Sequence, residues 1–316
     1  MQALNKLILI ISRYLLWLLC LTIAVDSLAQ APNISYPSPL TYNANTPITP
    51  IVPSNSGGAV PANRYGEVVT FAGSTSGYVD GVGTAAKFEN PTRLARASNG
   101  DLYVTDLASK VIRKIKPDGT VSTFVSSSEQ MEGIAIDDQD NIYVTLQYGV
   151  NIRKLSANGV LTPFAGSGSD GYVNGVGTAA KFNHPRSIVT DASGNIYVAD
   201  TDNHLIRKIT PNGTVSTVAG TTQGDVNGTT ATAKIYQPND VAIDAAGNLY
   251  IADSGNHKIK KITIGGVVST LAGADYGGTA KNGPAASAIF SNPSALAIDG
   301  AGNIYVADMG NSQIRK

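Results

Sequence analysis

The chain has 316 residues, 42% of them hydrophobic and only 15% charged, with 23 basic and 23 acidic residues and no net charge. A chain of this length can bury a sizeable core, and the even charge leaves no electrostatic footprint for nucleic acid. One cysteine, Cys20, excludes an internal disulfide.

Lys6 and Arg13 flank an apolar stretch that runs on from Tyr14 to Val25, and Ser27-Leu28-Ala29 places small residues where a signal peptidase reads. Residues 1–29 are therefore expected to be a cleaved signal peptide, and the protein to be secreted or displayed at the cell surface. The alternatives are a periplasmic protein or an uncleaved N-terminal anchor, since Leu7 to Val25 has the length of a short membrane span if Arg13 is tolerated inside it. Cleavage would leave no membrane span and would remove Cys20 and the only tryptophan, Trp17. Leu19 precedes Cys20 where lipid attachment needs a small residue. With Lys6, Arg13 and Asp26 gone, 21 basic residues face 22 acidic ones.

Residues 30–63 change character. Pro32, Pro37, Pro39, Pro47, Pro50, Pro53 and Pro61 interrupt β-prone runs at Ile34–Tyr36 and Ile48–Val52. Such proline density excludes helix and central strand, so an extended linker is expected. The stretch from Ile34 to Gly58 resembles the opening of immunoglobulin-like modules on bacterial surface proteins. About 25 residues cannot close a sandwich of some seven strands, so the resemblance implies a remnant or an edge strand.

Residues 64–316 repeat one phrase: Gly100-Asp-Leu-Tyr-Val-Thr-Asp106, Asn141-Ile-Tyr-Val-Thr145, Gly194-Asn-Ile-Tyr-Val-Ala-Asp200, Gly247-Asn-Leu-Tyr-Ile-Ala-Asp253 and Gly302-Asn-Ile-Tyr-Val-Ala-Asp308. Tyr103, Tyr143, Tyr197, Tyr250 and Tyr305 are spaced by 40, 54, 53 and 55 residues, the range of propeller blades. The fourth unit parses by two-residue alternation into strands at Asp240–Asp244, Leu249–Asp253, Lys258–Thr263 and Val267–Gly273. Four short antiparallel strands make a blade, with Gly-Asn turns supplying the positive φ of tight hairpins. The fold expected is all-β, a propeller of five four-stranded blades. Val68–Gly73 reads as a lone fourth strand, and Ser312–Lys316 as a third strand. Pairing these two would close the ring; a truncated six-bladed ring is the alternative.

Asp200-Thr-Asp-Asn-His-Leu-Ile-Arg-Lys-Ile209 contains Asn203-His204-Leu205, and the five units from Val68 to Lys316 resemble the NHL repeat family. The insert Asp80-Gly-Val-Gly-Thr-Ala-Ala-Lys-Phe88 and its copy Asn174 to Phe182 are similar to NHL modules of bacterial surface proteins and of teneurin-type adhesion proteins. The resemblance implies a non-catalytic, monomeric scaffold for a protein or glycan. It also admits a lyase or lactonase with a divalent metal on the ring axis, or a structural spacer within an adhesin.

The residues favour the scaffold. His204 and His257 occupy equivalent turns, too far apart to share a zinc ion, and no ligand cluster has a recognised spacing. Asp106, Asp200, Asp253 and Asp308 recur at the ends of second strands, and Asp137, Asp191, Asp244 and Asp299 at the ends of first strands; residues so repeated are expected to cap turns or pair with neighbours. Arg113-Lys114, Arg153-Lys154, Arg207-Lys208, Lys260-Lys261 and Arg315-Lys316 are expected to pair with those acids between blades. Arg93, Arg96 and Arg186 break the repeat but do not ligate metals. The expected binding residues are Tyr78 and Asp80 in Gly77–Gly81 and Tyr172 and Asn174 in Gly171–Gly175, with Phe88, Phe182 and Phe290 anchoring the loop ends. Calcium at the Asp/Asn-Gly tips would lack the dense oxygen ligands of calcium loops, so no cofactor is expected. The second unit has no insert between Ser128 and Met131.

Overall fold

The computed structural model describes residues 34–35, 54–55, 69–147, 149–156, 158–275 and 280–316, and the expected signal peptide and most of the linker lie outside them. Two units result, dividing after Val69. In the first, Ile34–Ser35 and Ser54–Asn55 pair antiparallel. No helix among the described residues is long and apolar enough to cross a membrane.

The second unit is a five-bladed β-propeller made of antiparallel sheets. Each blade runs outward from an inner strand: Pro91–Arg96, Met131–Ile136, Pro185–Thr190, Pro238–Ile243 and Pro293–Ile298. The Tyr-bearing second strands follow at Leu102–Asp106, Ile142–Leu146, Ile196–Asp200, Leu249–Asp253 and Ile304–Asp308. Third strands carry the basic pairs, and outer strands close the first four blades at Thr120–Ser126, Leu161–Ala165, Thr214–Ala219 and Val267–Ala272. Because strand residues alternate between faces, one sheet buries apolar side chains on both neighbours. Ile188, Ile196 and Val198 of the third blade share a core with Tyr143, Ile152 and Ala165 of the second.

The repeated tyrosine is part of this scaffold. Its hydroxyl donates to the turn acid of its own hairpin, from Tyr143 to Asp137 (3.3 Å), Tyr197 to Asp191 (3.3 Å), Tyr250 to Asp244 (3.0 Å) and Tyr305 to Asp299 (3.2 Å). The same acids accept backbone N–H groups from their turns, as Asp191 does from Ser193 and Asn195. Burial, reinforced by Asp137, pushes the Tyr143 hydroxyl up to about 12. The second basic residue of each pair lies over the ring, with Lys208 Nζ 5.6 Å from the centroid of Tyr197 and Lys261 Nζ 5.1 Å from that of Tyr250.

Two expectations about strands need correction. Blades are not uniformly four-stranded: the inserts fold back as Gly81–Val82, Gly175–Val176 and Gly228–Thr229, each adding a fifth strand beside an outer strand, while the fifth blade has three. The expected closure is also absent among the described residues. Thr70–Gly73 forms no strand, and the last strand, Gln313–Arg315, pairs only with Ile304–Asp308. Gly73 N donates to Gly83 O at 3.0 Å, as Gly166 N does to Gly177 O at the end of the second blade's outer strand, so the segment keeps its anchor on the first insert without a ladder partner.

Candidate functional site

The inserts are built as clamps around a buried cation. Arg113, fully buried, donates from Nη2 to Asp80 Oδ1 (2.7 Å) and Val79 O (2.9 Å), and from Nη1 to Lys87 O (2.8 Å). Arg207 repeats this with Asn174 Oδ1 (2.7 Å), Val173 O (3.0 Å) and Lys181 O (3.1 Å), and adds Asp200 at 2.8 Å. In the fourth blade Lys260 takes the place, bound to Asp225 (2.6 Å) and Asn227 (3.1 Å). A charge removed from water in this way needs such a set of acceptors. Phe182 and Phe290 are buried and Phe88 is partly so, as expected of loop anchors.

Asp80 and Asn174 lie at the surface, but each is engaged by the buried arginine beneath it. Asp80 also accepts from Thr123, and with a guanidinium already beside it, it offers no free carboxylate to calcium. Tyr78 and Tyr172 are different. Their rings lie 5.2 and 5.7 Å from the guanidinium carbons of Arg113 and Arg207, and both residues are exposed. The basic pairs therefore act within blades, not between them as the repeat spacing suggested: Arg113, Arg207 and Arg315 reach Asp106, Asp200 and Asp308 of the adjacent strand in the same sheet.

Two blade-to-blade joins run through histidines. Gln237 N donates to His204 Nδ1 at 3.3 Å, and Asn292 N to His257 Nδ1 at 2.9 Å, each crossing to the next blade. Both histidines sit at positive φ (61° and 57°) where the 3-10 turn ends, so the short ring reaches across the blade boundary.

A second constellation lies at the ring axis, in a channel of about 330 Å³ lined by all five inner strands. Arg93 Nη1 stands 3.3 Å from Asp240 Oδ1, and Arg93 Nη2 donates to Ser294 O (3.3 Å) and Asn239 O (3.4 Å). Arg186 donates to Asn239 Oδ1 (3.3 Å), Leu296 N to Asp240 Oδ2 (2.6 Å), and the Ser187 hydroxyl to Asp240. Gly133 is required here because any Cβ would come within 2.3 Å of Arg186 O. Glu132, Ser187, Asn239 and Asp240 were missed from sequence, yet a signal existed: Thr92-Arg93, Glu132-Gly133, Arg186-Ser187, Asn239-Asp240 and Ser294-Ala295 differ in every repeat. The set does not fit an axial divalent metal. Both oxygens of Asp240 are occupied, two guanidinium groups repel a cation, and no group of three His, Cys, Asp or Glu among the described residues is arranged to hold one.

Residues 92–316 match the family described as SMP-30/Gluconolactonase/LRE-like region. The chain belongs to this family. Among curated proteins, this SMP-30/gluconolactonase-like chain is 26% identical to NHL repeat-containing protein 2 of Gallus gallus over 344 residues, covering 92% of the chain and 47% of that protein. It is 28% identical to human Teneurin-4 over 227 residues, covering 58% of the chain and 8% of that protein. The chain therefore spans less than half the length of these relatives. Among solved structures, a protein of unknown function from Bacteroides thetaiotaomicron aligns with a TM-score of 0.52 at 20% identity, over 78% of the chain and 74% of that protein. A gluconolactonase from Xanthomonas campestris aligns with a TM-score of 0.50 at 16% identity, over 71% and 74%. These two likenesses are of fold. The family takes in enzymes and NHL-repeat proteins that are not described as enzymes.

Proposed function

We propose that this propeller is a secreted or surface-displayed, non-catalytic module that binds a protein or glycan through its insert rim. The observation that carries the proposal is apolar exposure on a rigid base. Tyr78 and Tyr172 are 49% and 57% exposed, and Val82 and Val176 60% and 61%, although the backbone beneath them is held by the Arg113 and Arg207 clamps. Aromatic side chains fixed in place lose little entropy on binding and dominate many interfaces. The axial channel supports the same reading, since Asp240 faces Arg93 and accepts from Ser187 and from Leu296 N, which leaves neither oxygen free for a substrate.

The test is a glycan and surface-protein binding screen of the chain against the Tyr78→Ala/Tyr172→Ala variant. A ligand whose affinity falls about tenfold or more in the variant supports the rim, a loss of about 1.4 kcal/mol. Unchanged binding moves the site elsewhere. Lactone hydrolysis or lyase activity above background, abolished by Asp240→Asn, replaces the scaffold reading with an enzymatic one.

A further inference from the structure

Each clamp sets one buried cation between two acceptors, the Asp or Asn of the insert and the Asp that ends the second strand. The cation leans according to what the insert offers. Where that is an acid, the strand carboxylate is left at a distance: Arg113 stands 2.7 Å from Asp80 and 3.8 Å from Asp106, and Lys260 2.6 Å from Asp225 and 3.9 Å from Asp253. Where it is an amide, as at Asn174, the strand acid is met directly, with Arg207 2.8 Å from Asp200.

The fourth blade differs from the first in having nothing that fixes this choice. Arg113 is a planar fork: Nη2 holds Asp80 and Val79 O while Nη1 holds Lys87 O, so the group cannot turn from one acid to the other. Lys260 presents a single nitrogen on a flexible chain, and it bonds to side chains only, Asp225, Asn227 (3.1 Å) and Thr270 (3.5 Å). A shift of about 1 Å would bring it into contact with Asp253. Asp253 is fully buried and accepts from Tyr236 N (2.7 Å) and Asn256 Nδ2 (2.8 Å). Burial pushes its carboxyl up to about 7. The charged groups that face it are Lys260 of the third strand and Asp225 of the insert. Lys258, its ladder neighbour, is turned to Asp225 (2.5 Å) and Asp275 (2.7 Å). His257, in the adjoining turn, accepts from Asn292 N of the fifth blade and faces Asp308.

We propose that Lys260 is a pH-driven latch on the fourth insert. While Asp253 is protonated, Lys260 stays on Asp225 and Asn227 and holds the insert down. Once Asp253 ionises, it draws the nitrogen onto itself, and Asn227 and one oxygen of Asp225 are released. The direction follows from burial: a carboxylate in a dry interior with no cation in contact costs more than a bond to Asp225, 30% exposed, is worth. Asp225 keeps Lys258, and Asn256 keeps Gly224 O (2.8 Å), so the insert loosens without leaving the blade. The latch is independent of the insert-rim reading, because Tyr78 and Tyr172 belong to the first and third inserts.

The test is amide exchange across residues 225–230 of the full chain at about pH 6 and about pH 8, with each rate divided by that of an unstructured chain at the same pH. Protection of the fourth insert is expected to fall at least about fivefold at the higher pH, while that of residues 79–83 and 173–177 changes by less than about twofold. Asp253→Asn should keep the fourth insert protected at both. Lys260→Arg, which supplies the fork of the first and third blades, should also abolish the difference. In the unaltered chain the carboxyl NMR signal of Asp253 should titrate in the same range. A fall shared equally by all three inserts, a fall that persists in either variant, or an Asp253 carboxyl already ionised at about pH 5 overturns the proposal.

Discussion

The second and third blades show which parts of the repeat travel together. In the third blade Arg207 is fully buried, with Asp200 at 2.8 Å and the insert's Asn174 at 2.7 Å. The second blade lacks an insert, and Leu146 stands where Asp200 stands, 1% exposed. Its arginine, Arg153, turns to the surface and meets Glu129 at 2.7 Å, with side chains 25% and 47% exposed. The tyrosine is indifferent to this change, since Tyr143 keeps both its turn acid and the lysine over its ring. Insert, aspartate and buried arginine are one device, and the tyrosine hairpin is another. The physical link is charge burial: without the insert's carbonyls an arginine cannot stay inside, and without the arginine an aspartate there has no countercharge.

The comparison breaks most visibly if the third blade is given half of the second blade's solution. Asp200→Leu should cost about 3–5 kcal/mol, because Arg207 is left buried beside an apolar side chain. Adding Arg207→Met should recover a large part of that loss, read as a shift of the urea midpoint at constant slope. If the double variant is as unstable as the two single losses combined, the two residues are not a coupled pair.

The fourth blade sharpens the comparison by pH. Burial pushes the Asp253 carboxyl up to about 7, with Lys260 3.9 Å away and turned toward Asp225. The folded chain then holds a proton through a range in which the unfolded chain has released it. Stability from this group is present below the unfolded value near 4 and is lost as pH rises through about 7. His257, whose pKa burial lowers, acts in the opposite sense near neutrality. The difference between wild type and Asp253→Asn isolates the aspartate: the urea midpoint of the wild type should fall relative to the variant between pH 4.5 and 7.5, by an amount of order 1–3 kcal/mol. Parallel profiles would assign the dependence to other groups.

Propeller, period and hairpin turns were legible in the sequence because each depends on neighbours a few residues apart. The predicted second strand of the fourth unit, Leu249–Asp253, matches the observed one. The clamp was visible only as ingredients: Asp80 and Arg113 lie 33 residues apart, and nothing local says that the insert folds back beside the outer strand. Alternation along the third strand could have separated Arg207, buried, from Lys208, over Tyr197, since consecutive residues face opposite ways. The closure expected of Val68–Gly73 was less accessible. It depends on the summed rotation of five blades, and a small angle per blade decides whether the first and last edges meet. The axial set was readable as the two inner-strand positions that never repeat, although their convergence on one channel follows from ring geometry alone.

The smallest effect tests the comparison most strictly. Arg153 and Arg207 occupy equivalent positions, and both make a 2.7–2.8 Å contact with an acid, so distance alone would rank them together. Solvent decides otherwise. Around Arg153 and Glu129 water screens the attraction and competes for both charges, so Arg153→Met should change stability by about 0–1 kcal/mol. Around Arg207 no water remains to take over the carboxylate of Asp200, so Arg207→Met should cost about 3 kcal/mol or more. Raising the salt concentration to about 1 M should erase the first difference and leave most of the second, because ions screen exposed pairs and do not reach buried ones. Equal losses would mean that the second blade's arginine is also structural, and that the missing insert is replaced by contacts around Leu146 rather than dispensed with.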